Sequence, residues 1–371
     1  MNPYITPIKI ALLSFPFIAI FITAPVLLFE YHKYGSFNKA KGFLFYTFVF
    51  YLLCAYFLVI LPLPDIGSVT TQYKDMIQPV PFRFIADFFK ETVFVFSDFS
   101  TYKPALVQGV VLQPVFNVLM VIPFGIYMRY YFKKDFNQTL VLSLLLSLFF
   151  ELTQLSGLYG IYSGPYRLFD VDDLMINTLG GVIGYLTAPY LTSFFPSRDA
   201  FDMDSRIRSS NVSLVRRLLS FFLDHIFVLW LSKITHLTLS TNYTLTHLTI
   251  YLLYYIILAY LRQGRTFGQS FLHLRTSGHS GEDVRIKNLA IRSLIIYFTI
   301  EQPPLITSAL ETLLPTTGYD NGLNSLIYLI ITLTFSGLLF VHYARVIFSR
   351  KNRFFYEIIS QTHIENTARY K

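Results

Sequence analysis

Charged residues are scarce in this chain of 371 residues: only 14% are Asp, Glu, Lys or Arg, whereas 53% are hydrophobic. Soluble domains carry about 25% charged residues, so the composition excludes an ordinary soluble domain and indicates an integral membrane protein. Cysteine is almost absent as well. The single Cys54 lies within an apolar run, which excludes an intramolecular disulfide framework and a cysteine-based metal site.

Long apolar runs dominate the sequence instead. A membrane-spanning helix needs about 20 predominantly apolar residues, and such runs predict nine spans at residues 8–29, 43–63, 108–129, 137–155, 174–195, 218–240, 244–261, 290–314 and 323–346. The eighth contains the sequence EQPP from Glu301 to Pro304, which favours a broken or re-entrant helix. The predicted fold class is all-α, a polytopic membrane protein with about nine transmembrane helices, five followed by four.

Lysine and arginine are distributed unevenly between alternate connections. Five connections are basic, namely residues 30–42, 129–138, 196–217, 262–292 and 345–371, whereas acidic residues outnumber basic ones in 63–107, 151–173 and 301–322. The positive-inside rule therefore predicts an outside N-terminus and a cytoplasmic C-terminus. The net charge of +8 reflects this topology and does not indicate a nucleic-acid partner. We expect a multi-pass protein of the bacterial plasma membrane, in contact with the lipid bilayer.

Two connecting segments have distinctive patterns. The polar stretch from Pro196 to Asn211 predicts a cytoplasmic linker at 196–211, between a five-helix domain at 1–195 and a second domain at 212–371 with three or four helices. In the connection 63–107, the sequence PFRFIADFFKETVFVF places four apolar residues on one helical face. This pattern predicts a short amphipathic helix on the outer leaflet, and packing over the mouth of the helix bundle fits it equally.

Polar residues recur at helical spacing in the fourth and fifth spans. The fourth has Ser143, Ser147, Glu151 and Gln154 on one face, and the fifth has a stripe of Asp170, Asp173, Asn177, Gly180, Gly181 and Gly184. A charge in hydrocarbon costs at least about 2.5 kcal/mol, so such residues need a reason. The predicted topology places them with Arg167 at the extracellular end, as a site for a polar headgroup, a cation or a substrate. Alternatively, Arg167 pairs with Asp170 and Glu151 and locks the loop without a ligand.

Three segments of the first half resemble the VanZ-like family: NVLMVIPFG from Asn117, SLFFELTQ from Ser147 and RLFDVDDLMINTLGGVIG from Arg167. The resemblance covers about residues 10–195. Members of that family are associated with resistance to teicoplanin and its lipidated relatives. The resemblance implies a functional site, here called the first polar cluster, formed by Asn117, Ser147, Glu151, Gln154, Arg167, Asp170, Asp173 and Asn177.

The second half resembles the RDD family over about residues 212–365, because Arg217 lies two helical turns before Asp224 and a Gly-x-Thr-x-Gly turn follows. The resemblance implies a second polar cluster of Arg217, Asp224, Gly264, Thr266, Gly268, Arg292, Arg353 and Glu357. Some RDD proteins are linked to ion transport. One departure is that the family's terminal histidine is Tyr356 here. Alternatively, the Arg and carboxylate groups only join helix ends.

Three classes of function remain open. The first is a non-enzymatic envelope protein that acts against a lipoglycopeptide by binding the drug, its lipid-linked cell-wall precursor or a lipid headgroup. The second is an enzyme that modifies an envelope lipid or precursor with Glu151 or Asp170 as general base, although no Ser/His or metal motif supports it. The third is an ion-coupled transporter that uses Glu301 with Arg217 and Asp224.

We expect neither a metal nor a cofactor. His273 and His279 lack zinc-site spacing and are predicted to be solvated loop residues. The sequence GRTFGQS also lacks the Gly-Lys-Ser/Thr end of a phosphate-binding loop.

Overall fold

The computed structural model describes residues 5–240, 242–278, 281–301 and 353–368, together with single helical residues between 326 and 345. Within these residues, seven helices are long and apolar enough to cross a membrane: Ile5–Tyr34, Lys39–Ile60, Gly109–Tyr130, Phe136–Leu155, Val171–Leu191, Leu214–Leu239 and Tyr243–Leu261. They correspond to the first seven predicted spans, so the prediction of a helical multi-pass membrane protein is confirmed.

The last two predicted spans lie largely outside the described residues. The start of the eighth is the helix Ile286–Ile296, which continues as a π-helical turn at Tyr297–Glu301. The total number of spans and their orientation across the membrane stay predictions.

Short elements connect the long helices. The short helices are Arg83–Glu91, Tyr102–Leu106, Gly157–Gly160, Arg198–Arg208, Phe267–Phe271 and Phe355–Ile359, with 3-10 turns at Tyr73–Asp75 and Phe99–Thr101. Two small sheets were not predicted: Ile77–Gln78 pairs in parallel with Phe169–Asp170, and Leu274–Ser277 pairs antiparallel with His363–Asn366. These strands are too short for the alternating pattern that indicates a strand in a sequence.

The chain divides into two compact units. The first comprises residues up to Pro25 and residues 38–204, and the second comprises residues 26–37 and the chain from Ser205 onward. The helix Ile5–Tyr34 therefore contributes residues to both units.

Glycines allow two helices of the first unit to pack closely. We call these the Asn117 helix (Gly109–Tyr130) and the Asp173 helix (Val171–Leu191). A Cβ atom at Gly184 would lie only 2.0 Å from the carbonyl oxygen of Ile122. Because no larger residue fits there, the glycine lets the two backbones approach and holds their polar residues side by side.

The stretch predicted as a linker contains the helix Arg198–Arg208. Its acidic residues contact the start of the second long helix. The Asp202 carboxylate lies 2.9 Å from the ammonium of Lys41, and Asn38 donates a 2.6 Å hydrogen bond to Asp204. The helix is thus packed onto the first unit over this part, and the role of 196–211 as a linker stays a prediction.

The core of the second unit is rich in tyrosine. Val228, Tyr251 and Tyr297 are fully buried, and the rings of the two tyrosines lie 4.9 Å apart. Burying aromatic rings contributes much of the packing energy of such a core.

Candidate functional site

Asp170 begins the Asp173 helix. Its backbone is extended, and its side chain accepts a hydrogen bond from the backbone N–H of Asp172, which makes it an N-cap. Asp172 and Asp173 follow in the first turn, where the positive end of the helix dipole stabilises carboxylates. These three acidic residues therefore lie at the N-terminal end of the helix, where negative charge is favourable.

Four predicted residues form one hydrogen-bonded network across three helices. Asn117 donates to Oδ1 of Asp173 at 2.8 Å, and the Ser147 hydroxyl donates to the backbone oxygen of Asp173 at 3.2 Å. Asn177 donates through Nδ2 to the Ser147 hydroxyl at 2.9 Å. The third helix is Phe136–Leu155, here called the Glu151 helix.

Glu151 lies on the same buried face of its helix as Ser147 and is only 3% exposed. Its Oε2 accepts a 3.0 Å hydrogen bond from the backbone N–H of Asp170. Glu151 thus connects its helix to the residue that caps the Asp173 helix. A buried carboxylate is held in place by such donors.

Gln154 and Arg167 meet at a different point, the carboxyl end of the helix Lys39–Ile60. Gln154 and Arg167 each donate a 2.8 Å hydrogen bond to the carbonyl oxygen of Val59, and Arg167 reaches Leu61 at 3.5 Å. Both therefore satisfy carbonyl groups that have no partner within their own helix.

The ion-pair lock considered for Arg167 is not found. Among the described residues, no ion pair within 4.0 Å links Arg167 with Asp170 or Glu151, and the guanidinium group is exposed. Its described hydrogen bonds go to neutral carbonyl oxygens, so its charge faces no carboxylate at contact distance.

Two residues outside the prediction complete this site. Gln78 pairs with Asp170 across the short parallel sheet and donates to its Oδ1 at 3.2 Å. Asp172 accepts backbone hydrogen bonds from Phe82 at 2.6 Å and Phe84 at 3.0 Å, which fixes the start of the helix Arg83–Glu91. The signal for Asp172 was its place within the acidic run DVDD.

Burial changes the ionisation of Asp170, the N-cap of the Asp173 helix. Desolvation raises the pKa of Asp170 above its ordinary value, although the hydrogen bond from the Asp172 N–H opposes the rise. Asp170 therefore keeps its proton to a higher pH than an exposed aspartate would.

One buried acceptor in the network has no donor within the described part of the chain. Oδ1 of Asn177 is buried and accepts no hydrogen bond from any described residue, although Nδ2 of the same side chain is bonded. Buried polar atoms are nearly always paired. The first polar cluster thus holds spare hydrogen-bonding capacity next to Ser147.

In the second unit, Asp224 is the centre of a separate network. Its carboxylate accepts hydrogen bonds from the hydroxyl groups of Tyr254 and Thr266, at 2.5 and 2.6 Å, and from the backbone N–H of Gly268 at 2.6 Å. Thr266 also caps the helix Phe267–Phe271. Asp224 therefore holds the Gly-x-Thr-x-Gly turn against the Asp224 helix (Leu214–Leu239).

Gly264, the first residue of this turn, requires glycine. Its φ is +83°, and an added Cβ would lie 2.0 Å from the carbonyl oxygen of Thr276. The backbone N–H of Thr276 in turn donates to the oxygen of Gly264 at 2.8 Å. The turn is thereby joined to the strand Leu274–Ser277.

Glu357 lies between two of the predicted arginines. Nη1 of Arg217 donates to its carboxylate at 3.2 Å, and Nη1 of Arg292 lies 3.7 Å from it. The backbone N–H of Phe354 also donates to Glu357 at 3.0 Å. Arg353 is exposed, and no described residue pairs with it, so the structure separates it from this group.

Tyr356 stands where the resemblance noted in the sequence leads us to expect a histidine. Its ring stacks on Phe354 with centroids 5.1 Å apart, and the guanidinium of Arg292 lies 4.8 Å from the ring centre. The tyrosine at this position thus provides aromatic packing and a cation–π contact.

Arg216 is a structural residue that the prediction missed. It is fully buried and donates to the backbone oxygens of Leu272 and His273, at 2.8 and 3.2 Å, and to Asn366 at 3.0 Å. The only signal was the Arg216–Arg217 pair at the start of a membrane helix.

His273 was predicted to be a solvated loop residue, but the structure shows it only partly exposed to solvent. It is half-buried, lies 5.3 Å from the stacked ring of His32, and its Nε2 is 3.2 Å from the backbone oxygen of His32. The short turn after the helix Phe267–Phe271 packs the imidazole against the end of the helix Ile5–Tyr34. His279 and the side chain of Glu301 lie outside the described residues.

The described part of the chain contains no group of three His, Cys, Asp or Glu side chains arranged to hold a metal ion. The expectation that the protein uses neither a metal nor a cofactor stays a prediction.

Comparison with known proteins assigns both halves. The VanZ/LLP1 family model matches residues 48–195, and the RDD family model matches residues 212–361. No curated protein and no solved structure matches the chain. The first match contains the whole first polar cluster and the second match the whole second polar cluster, whereas the helix Ile5–Tyr34 precedes both. The chain is therefore a fusion of a VanZ/LLP1 family region with an RDD family region.

Proposed function

We propose that this membrane protein recognises a polar headgroup through the first polar cluster and thereby contributes to resistance against teicoplanin and lipoglycopeptides in a bacterial cell envelope. The observation that carries the proposal is the buried Oδ1 of Asn177, which has no donor among the described residues. An unsatisfied buried acceptor costs about 1–3 kcal/mol. A ligand that brings an N–H or O–H group to this atom would recover that free energy.

Arg167 supports the same proposal with a different chemistry. Its guanidinium is exposed, and its described hydrogen bonds go only to the carbonyl oxygens of Val59 and Leu61. An exposed guanidinium next to a polar site suits a phosphate group, which it can bind with two parallel hydrogen bonds. A phosphate that carries amide or hydroxyl groups, as in a lipid-linked cell-wall precursor or a lipid headgroup, combines both features.

The helix Arg83–Glu91 would bring the cluster to the membrane surface. It exposes Ile85 and Phe89, and the backbone N–H groups at its start bind Asp172 of the Asp173 helix. Exposed aromatic and aliphatic residues on a short amphipathic helix favour the headgroup region of a bilayer. Together with the predicted orientation, this would give the cluster an outward-facing position.

Drug susceptibility tests the proposal directly. Deleting the gene should lower the minimum inhibitory concentration of teicoplanin-like drugs, and complementation with Glu151→Gln or Arg167→Ala should fail to restore it at unchanged expression. Matched controls are Glu91→Gln and Lys74→Ala, which remove exposed charges from the connection 63–107. They should restore resistance as the unchanged protein does.

Two results would contradict the proposal: an unchanged inhibitory concentration in the deletion strain, or full complementation by both cluster variants. A lipid or precursor missing from the deletion strain, detected by mass spectrometry, would instead favour the enzyme hypothesis.

A further inference from the structure

The second unit contains a cavity of about 340 Å³ beside the second polar cluster. Most of its wall is apolar, with Leu214, Phe221, Leu289 and Ile296 among the lining residues. Ligand sites in proteins commonly have volumes of about 300–1,000 Å³, apolar walls and a few polar groups. This cavity has that size and that composition.

Arg292 provides a cationic group in the wall. Its residue is only 8% exposed, and its described hydrogen bond joins Nη1 to the hydroxyl of Thr362 at 3.0 Å. Glu357 lies 3.7 Å from the same nitrogen. A guanidinium carries five N–H donors, and no described residue accepts from Nε or Nη2 of Arg292. Most of its donor capacity is therefore unused within the described chain.

Ser220 provides a second, independent polar group. It lies on the Asp224 helix, lines the same cavity and is 3% exposed, yet its buried hydroxyl has no hydrogen-bond partner among the described residues. A hydroxyl can donate to an anion as well as accept. Two buried polar groups with unused donors in one apolar cavity indicate a ligand that carries acceptors.

Asp224 also lines the cavity, but its carboxylate is committed elsewhere. Tyr254, Thr266 and Gly268 all donate to it, and these three bonds hold the Gly-x-Thr-x-Gly turn. Asp224 therefore serves the local fold and is not the group that selects the ligand.

We propose that this cavity binds an anionic amphiphile, with a carboxylate or phosphate at Arg292 and Ser220 and an apolar tail between Phe221, Leu289 and Ile296. A guanidinium binds such planar or tetrahedral anions with paired hydrogen bonds. The apolar wall excludes small inorganic anions as preferred ligands, because these would leave the wall exposed to water. This site is separate from the first polar cluster and does not depend on the function proposed for it.

The test uses the full chain in phosphatidylcholine nanodiscs, with radiolabelled laurate as the probe and empty nanodiscs as the background. We expect saturable binding of one laurate per chain, competition by excess unlabelled laurate, and no competition by dodecanol or acetate at the same concentration. Arg292→Gln should weaken binding at least tenfold. Arg353→Gln is the matched control, because Arg353 is exposed and does not line the cavity, and it should leave binding unchanged.

A second variant protects the test against misfolding of Arg292→Gln. Ser220→Leu breaks no described hydrogen bond, because the serine hydroxyl has no partner among the described residues, and it fills the cavity with apolar atoms. It should also abolish saturable binding. Equal competition by dodecanol, or wild-type binding by the Ser220→Leu protein, would overturn the proposal.

A further experiment distinguishes two sources of the ligand, a membrane lipid and a free amphiphile. Adding phosphatidylglycerol to the nanodiscs should displace laurate if the natural ligand is an anionic membrane lipid. If phosphatidylglycerol does not compete while laurate still binds, the site takes a free anionic amphiphile. Both results support the proposed site, and they show whether its ligand comes from the membrane or from solution.

Discussion

Asn117 and Asp173 are 56 residues apart in the chain, yet the side-chain nitrogen of Asn117 donates to the Asp173 carboxylate at 2.8 Å. The bond joins the Asn117 helix to the first turn of the Asp173 helix. Because glycines such as Gly184 allow these two helices to pack so closely, a short amide side chain is long enough to reach the carboxylate. Helix packing and the polar cluster therefore depend on each other.

Replacing Asn117 tests the value of this bond. Asn117→Ala leaves the carboxylate of Asp173 without its side-chain donor, and we expect a loss of about 1–3 kcal/mol in the free energy of unfolding. Chemical unfolding in detergent measures it. Gln113→Ala, an exposed position on the same helix, should change stability by less than about 0.5 kcal/mol. Equal effects of the two variants would show that the bond contributes nothing.

The close approach of the two helices makes a second prediction. In Gly184→Ala the new Cβ would lie 2.0 Å from the carbonyl oxygen of Ile122, so the helices must separate. Overpacking of this kind costs about 1–3 kcal/mol, and the thermal unfolding temperature should fall. Gly109→Ala meets no atom within 4 Å and is the control. A Gly184→Ala protein as stable as the Gly109→Ala protein would contradict the packing described here.

Spacing along the sequence predicted the seven long helices that the structure describes and the polar residues that share one helix face. Ser147 and Glu151 are four residues apart, so a helix must place them on one face, and both are buried there. Gly180 and Gly184 of the stripe in the fifth span likewise lie at the contact with the Asn117 helix. These features depend only on the period of the helix, which the sequence contains directly.

Contacts with distant backbone groups could not be predicted in this way. Arg216 binds the carbonyl oxygens of Leu272 and His273, and Asp172 binds N–H groups of the segment around Phe82. Every residue except proline carries the same backbone groups, so no residue pattern marks which of them are near. The two small sheets escaped prediction for the same reason, because pairing over two to four residues is set by tertiary structure.

Asp224 is the residue on which the turn of the second unit most depends. Asp224→Ala removes the acceptor of three hydrogen bonds, from Tyr254, Thr266 and Gly268. Each buried donor left without a partner costs about 1–3 kcal/mol, so we expect a strong loss of folded protein in size-exclusion chromatography. Asp224→Asn retains one acceptor oxygen and should fold better.

Asp199→Ala is the control for this variant. Asp199 is exposed and pairs with Lys133 at the surface. Surface ion pairs contribute about 0–1 kcal/mol, so the control should fold as the unchanged protein does. An Asp224→Ala protein with the same yield as the control would show that the network is dispensable.

His273 makes the stability of the protein depend on pH. Burial lowers the pKa of His273, and the neighbouring His32 and Arg216 lower it further. Between the ordinary histidine pKa of about 6.5 and the lower pKa of the folded protein, the unfolded chain binds more protons than the folded chain. The contribution of His273 to stability is therefore constant above neutral pH and decreases as the pH falls below about 6.5.

This dependence is measured as the unfolding temperature in detergent between pH 8 and pH 5, compared between the unchanged protein and His273→Gln. Other groups titrate in both proteins, so the difference between them isolates His273. Because glutamine does not titrate, the variant should lose less stability on acidification than the unchanged protein. If the His273→Gln protein had the same pH profile as the wild type, the pKa of His273 would be equal in the folded and the unfolded protein. That result would contradict the effect expected from its packing against His32.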